Sequence, residues 1–140
     1  MKLFVVLAAI VAFASAEWAT RSPAELAQSR LSCIQELSVP ANLVEQIKKF
    51  QYPDEEIVRC YIRCTSEKIG IWSDDSGFIT DRVIEQLAGN RDKDAFRADV
   101  LKCIDSNEQK SDKCTWAYRN FNCFIKNNLI LVQSQINASS

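Results

Sequence analysis

The sequence predicts an all-α domain of about six helices tied together by disulfides. Three observations carry this reading. Six cysteines stand at Cys33, Cys60, Cys64, Cys103, Cys114 and Cys123 in a chain of 140 residues. Three glycines and three prolines are too few for the many tight turns of an all-β chain. Apolar residues recur at helical spacing between recognisable start and stop signals.

The cysteine gaps read C-x26-C-x3-C-x38-C-x10-C-x8-C. At 100° per helical residue, Cys60 and Cys64 point only about 40° apart, and Cys114 and Cys123 about 180° apart. The first pair can reach two neighbouring elements, and the second can staple one helix on opposite sides. Lys2, the apolar run Leu3 to Phe13 and the small residues Ala14-Ser15-Ala16 have the three-part form of a secretory signal peptide. The run is too short to span a bilayer, and no later stretch approaches about twenty apolar residues. Export to an oxidising compartment turns an even cysteine count into disulfides. The expected organisation is a signal peptide at 1–16, a helical domain at 17–127 and a C-terminal tail at 128–140.

The first helix opens with Ser22-Pro23-Ala24-Glu25, an N-cap serine, a proline at the first position and a glutamate that completes a capping box. Leu26, Ala27, Leu31, Ile34 and Leu37 follow as its expected apolar stripe, with Cys33 inside it. Pro40 ends this helix and opens a second over Ala41–Phe50, whose Leu43, Val44 and Ile47 share one side and whose Lys48 and Lys49 read as a solvated face. Tyr52-Pro53-Asp54 breaks the chain, and Asp54 is the expected cap of a third helix. Ile57, Tyr61, Cys64 and Lys68 fall along one side of it, and Val58 and Ile62 along another, the pattern of a helix packed between layers. Gly70 suits a left-handed stop.

Ile71 to Gly77 reads as a turn-rich connector. Thr80 or Asp81 is the expected cap of a short fourth helix carrying Val83, Ile84, Leu87 and Ala88, closed by Gly89. Asp92 or Asp94 starts the fifth, with Phe96, Val100, Cys103 and Ile104 inward. A polar loop from Ser106 to Ser111 leads into a sixth helix over Asp112–Asn127, whose Ala117, Phe121, Phe124 and Ile125 suit burial. Beyond it Leu129 to Val132 is apolar, no ionisable side chain follows Lys126, and Asn137-Ala138-Ser139 is a glycosylation sequon.

Composition excludes several chemistries. The chain contains no histidine, so neither a Ser-His-Asp triad nor a His-Asp hydrolase pair can be built. Without histidine or a C-x2-C pair the usual zinc ligand sets are missing, and no metal or cofactor is expected. Six paired sulfurs leave no thiol nucleophile. A formal net charge of −1, more negative still without Lys2, gives no attraction to nucleic acid or anionic membranes. Carboxylates at Asp54, Glu55 and Glu56, or Asp74 and Asp75, could in principle form a hydrolytic pair, but capping and turn formation account for them more simply. What remains unusual is the supply of large side chains: Phe50, Tyr52, Tyr61, Trp72, Phe78, Phe96, Trp116, Tyr118, Phe121 and Phe124. They can fill a solid core or wall a cavity that disulfides help hold open.

The cysteine ladder, taken with the helical context of each gap, resembles the insect odorant-binding proteins of the six-cysteine pheromone/general odorant-binding group. The resemblance implies bridges Cys33–Cys64, Cys60–Cys114 and Cys103–Cys123, where spacing alone allows fifteen pairings. It also implies six helices around a buried apolar cavity, no catalysis, and a small hydrophobic ligand. Counted from the cysteines, Leu26, Ile62, Val100 and Phe124 match wall positions of the cavity, with Phe121 beside them. Ser66 matches a place where a hydroxyl meets a ligand's polar head, and Trp72 and Phe78 match the mouth by analogy. The implied protein is a secreted monomer or weak homodimer of sensillar lymph or another body fluid. It would carry an odorant, a pheromone or a fatty-acid-like molecule, and serve olfaction through an indirect membrane odorant receptor. A lipid or hormone carrier of haemolymph, saliva or seminal fluid would use the same fold. A saposin-like membrane-active protein also uses six cysteines, but expects a C-x2-C opening that is absent here. With no histidine and no acidic tail, acid-triggered release through either is not expected, and Leu129 to Val132 is expected to form a wall or lid at every pH.

Overall fold

The computed structural model describes residues 17–137. The expected signal peptide at 1–16, and Ala138 and Ser139 of the sequon, lie outside the described residues. In chain order the elements are α1 (Pro23–Leu37), α2 (Ala41–Lys48), α3 (Glu56–Lys68), β1 (Trp72–Ser73), β2 (Gly77–Phe78), α4 (Thr80–Leu87), α5 (Lys93–Leu101) and α6 (Lys113–Asn137).

The capping box of α1 is present in full: Ser22 Oγ accepts from the Glu25 amide and Glu25 accepts from the Ser22 amide. Leu26 and Cys33 are buried on its inner face, whereas Leu31 is 56% exposed. Five residues from Leu26, Leu31 sits about 140° around the helix and turns away from the core. The chain leaves α1 through Ser38 in the left-handed region, and α2 stops at Lys48, ahead of Phe50, which is also left-handed. Asp54 does not cap α3. The N-cap is Glu55, with no side-chain cap, and Asp54 pairs instead with Arg59 at 2.5 Å.

The expected connector is a small antiparallel hairpin, with Trp72 opposite Phe78 and Ser73 opposite Gly77. Gly77 takes φ +81°, and a Cβ there would come within 2.7 Å of the Trp116 ring. Absence of a side chain thus lets the hairpin press directly on α6. Neither Thr80 nor Asp81 caps α4. The N-cap is Ile79, whose amide donates to the Ile71 carbonyl at the base of the hairpin, and Asp81 pairs with Arg97. Asp92 caps α5 through the amides of Asp94 and Ala95, and the Asp112 carboxylate accepts from the Thr115 amide at the start of α6.

The sixth helix runs past Asn127. At Asn128 the backbone leaves helical geometry (φ −132°, ψ 29°), its side-chain amide donates to the Phe124 carbonyl, and helix resumes to Asn137. A side-chain bond inserted at a kink of this kind explains how the chain can bend without ending the helix.

The three bridges are Cys33–Cys64, Cys60–Cys114 and Cys103–Cys123. They tie α1 to α3, α3 to α6, and the turn after α5 to α6. The most extensive helix packing is between α3 and α6. Buried residues form two main clusters around this pair. One gathers Tyr61, Ile62, Leu43 and Ile47 between α1, α2 and α3, and the other gathers Val83, Phe96, Val100, Phe124 and Val132 between α4, α5 and α6.

Candidate functional site

Between these two clusters lies a cavity of about 150 Å³. Its wall draws on both: Tyr61 and Ile62 from one, and Val83, Val100, Phe124 and Val132 from the other. The placement follows from the bridges. Cys33–Cys64 fixes α1 beside α3, and Cys103–Cys123 fixes the end of α5 beside α6, so two half-cores are held apart at a set separation.

Seven of the eight ligand-contact positions expected from the sequence border this cavity: Leu26, Ile62, Ser66, Phe78, Val100, Phe121 and Phe124. Trp72 does not. It is 3% exposed and packs edge-on against Trp116 at 4.9 Å and Phe78 at 5.0 Å, forming a third small cluster on the hairpin side. Its indole donates to Asp74 at 2.8 Å. Its packing on Trp116 and its indole bond to Asp74 hold it in that cluster, outside the cavity lining. Phe78, its strand partner, contacts both Trp72 and the cavity.

Several lining residues escaped the sequence reading. Arg30 follows Leu26 by four residues and therefore shares its helix face, a relation that spacing could have shown. Tyr52 and Tyr61 stood among the large side chains without an assigned role. Gln135 and Ile136 enter the wall because α6 continues past Asn128, and of the Leu129–Val132 run expected as wall or lid, Val132 borders the cavity.

Most polar groups on the wall are occupied. Thr65 donates its hydroxyl back to the Tyr61 and Ile62 carbonyls. Gln86, buried on α4, accepts from the Arg21 amide and donates to the Arg21 carbonyl, which fastens the N-terminal segment across that end of the fold. Asn120 accepts from the Asp105 amide and donates to the Trp116 carbonyl. The Ser66 hydroxyl has no hydrogen-bond partner among the described residues. Burial pushes the Tyr61 phenol up from its ordinary range despite the nearby Arg30, and pushes the Tyr52 phenol up further, with Tyr61 adding to the effect. Both stay protonated at physiological pH. Among the described residues no cluster of histidine, cysteine or acidic side chains could hold a metal ion.

The carboxylates weighed as a hydrolytic pair lie elsewhere. Asp54 is paired with Arg59, Asp74 with Arg63, and none of Asp54, Glu55, Glu56, Asp74 or Asp75 borders the cavity. The chemistry available in the cavity is apolar burial with a few hydroxyls and the Arg30 guanidinium. That suits binding.

Residues 15–127 match the PBP/GOBP family. The chain is 38% identical over 136 residues to odorant-binding protein 22 of Aedes aegypti, covering 97% of this chain and 98% of the relative. It is 37% identical over 138 residues to general odorant-binding protein 99a of Drosophila melanogaster, covering 97% of each. Among solved structures it is similar in fold to an odorant-binding protein of Locusta migratoria. The TM-score is 0.65 at 19% identity, covering 89% of this chain and 98% of that one.

Proposed function

The chain belongs to the PBP/GOBP family, and on that premise we propose that it is a secreted, non-catalytic carrier. It takes a small hydrophobic ligand (an odorant, a pheromone or a fatty-acid-like molecule) into this cavity and solubilises it in extracellular fluid such as sensillar lymph. It acts as a monomer or weak homodimer and serves a membrane odorant receptor indirectly. The observation that carries the reading is the cavity itself, an apolar space of about 150 Å³ between two half-cores.

The size sets a first preference. A cavity of roughly this volume lined by Leu, Ile and Phe stays dry and accepts a ligand of about benzene's size. A ring or a short chain therefore fits as the cavity stands, and a longer chain requires a wall to move. The segment 128–137 is that wall in our reading. Micromolar affinity corresponds to about 8 kcal/mol, and apolar burial at about 25 cal/mol per Å² supplies most of it.

Native mass spectrometry of the secreted protein tests the proposal. The expected mass carries three disulfides and one small apolar adduct, and the stripped protein should bind octan-1-ol with one-to-one stoichiometry. Val100→Phe, which fills the cavity, should weaken that binding about tenfold. Correctly bridged protein that binds no apolar ligand would refute the carrier reading.

A further inference from the structure

Resting on the carrier reading, we propose that the ligand is a monocarboxylate amphiphile whose head is held by Arg30, Tyr61 and Tyr52. All three border the cavity. Arg30 Nε donates to the Tyr61 hydroxyl oxygen at 3.3 Å, and Tyr61 is only 2% exposed. Tyr52 is fixed by other parts of itself. Its ring meets Phe121 edge-on at 5.0 Å, and its carbonyl accepts from the Tyr118 hydroxyl at 2.6 Å. Its own hydroxyl is left over.

The count of donors and acceptors is what points to an anion. The Tyr61 proton and the Tyr52 hydroxyl have no acceptor among the described residues, and burial keeps both phenols protonated. Arg30 makes no ion pair among the described residues, whereas Arg59, Arg63, Arg97 and Arg119 each face an aspartate. A half-buried guanidinium with two phenol donors beside it lacks a negative acceptor. A carboxylate supplies one with two oxygens, matching the planar fork of arginine and leaving lone pairs for the phenols. An alcohol can satisfy one donor but cannot neutralise Arg30. Val83, Leu87 and Val100 offer only apolar surface to the rest of the ligand. Ser66 is the competing head site, since its hydroxyl is also unengaged, but it brings no charge.

Isothermal titration of the ligand-stripped protein at pH 7 with octanoic acid, octan-1-ol and methyl octanoate separates these possibilities. The acid should bind about tenfold or more tightly than the alcohol and the ester. Arg30→Met should remove that preference, and Arg30→Lys should keep part of it. Tyr52→Phe should weaken the acid about threefold, and Ser66→Ala should leave the acid preference intact. Equal binding of all three compounds, or a preference that survives Arg30→Met, would overturn the head-group assignment and leave the carrier reading standing. Binding of none would overturn both. If Arg30→Met loses its cooperative unfolding transition, wild-type selectivity with Tyr52→Phe decides the matter.

Discussion

The cavity is walled on one side by elements that are covalently fixed and on the other by a segment that is not. The fixed side is α3 with α6 up to Asn128. Cys60–Cys114 joins these two helices, Cys33–Cys64 and Cys103–Cys123 tie them to α1 and to the end of α5, and Arg63 binds Asp74 across to the hairpin. The other side is α6 beyond Asn128. It contributes Val132, Gln135 and Ile136 to the wall, carries no ionisable side chain, and follows the last disulfide. Its apolar run divides evenly: Leu131 and Val132 are buried, while Leu129 is exposed and Ile130 is 81% exposed. The difference teaches where the cavity can yield. Of the proposed head contacts, Arg30 and Tyr61 sit on α1 and α3 and Tyr52 in the loop before α3. The segment beyond Asn128, in contrast, is held by packing of Leu131, Val132 and Ile136, with no bridge of its own among the described residues.

The largest effect should come from breaking the fixed side. Cys60→Ser with Cys114→Ser opens the bridge of greatest sequence separation, 54 residues. In the loop-entropy view this costs about 4 kcal/mol of stability, read by chemical denaturation. A loss below about 1 kcal/mol would show that packing of α3 on α6 holds the fixed side without its staple. A smaller and different effect should follow deletion of residues 129–140. Burial of Leu131 and Val132 stabilises by about 1.5–3 kcal/mol each, and the backbone entropy regained when the segment is removed offsets part of it. Deletion should therefore cost less stability than opening the bridge. Octan-1-ol affinity, in contrast, should drop about tenfold or more because one wall is gone. Unchanged affinity in the truncated protein would refute the movable-wall reading.

This asymmetry was only half legible in the sequence. Local signals were readable because the atoms that make them are near neighbours: the Ser22–Glu25 capping box, Asp92 capping α5, and Gly70 in the left-handed region all stand where spacing put them. The family resemblance supplied the pairing of the bridges, which spacing could not. Features set by tertiary contact were not readable. The hairpin depends on Gly77 meeting Trp116, thirty-nine positions along the chain. That same ring helps hold Trp72 outside the cavity lining. Beyond Asn128 the apolar run Leu129 to Val132 was legible as a wall or lid, but its helical continuation was not. That continuation depends on the Asn128 bond to the Phe124 carbonyl and on the burial of Leu131 and Val132. Arg30 was missed for another reason. A charged residue on a helix reads as solvent-facing until its neighbours are known, although its spacing from Leu26 placed it on the inner face.

The smallest effect concerns acid, and it again divides the two sides. Asp74 receives the Arg63 guanidinium and the Trp72 indole, and its own carbonyl accepts from Lys113 on α6. Arg63 first, and Trp72 after it, hold the carboxyl at about 2, below its ordinary 3.8. A carboxyl more acidic folded than unfolded stabilises fully above about pH 4, and that contribution is lost as pH falls toward 2. The Asp74 side chain is 32% exposed, so solvent screening limits the contribution to about 1 kcal/mol. Asp74→Asn should therefore lower stability by about 1 kcal/mol at pH 7 and flatten its fall between about pH 4 and pH 2. Asp105, held low by Arg119, titrates with the same sign and remains in both proteins. Of the groups bordering the cavity, the Tyr52 and Tyr61 phenols stay protonated, and α6 from 129 to 137 has no side chain to titrate. Octan-1-ol affinity at pH 7 and pH 5.5 should agree within about twofold in both the wild type and Asp74→Asn. A large loss by pH 5.5 that disappears on deleting residues 129–140 would place a proton switch on the side of the cavity that carries no group to host one.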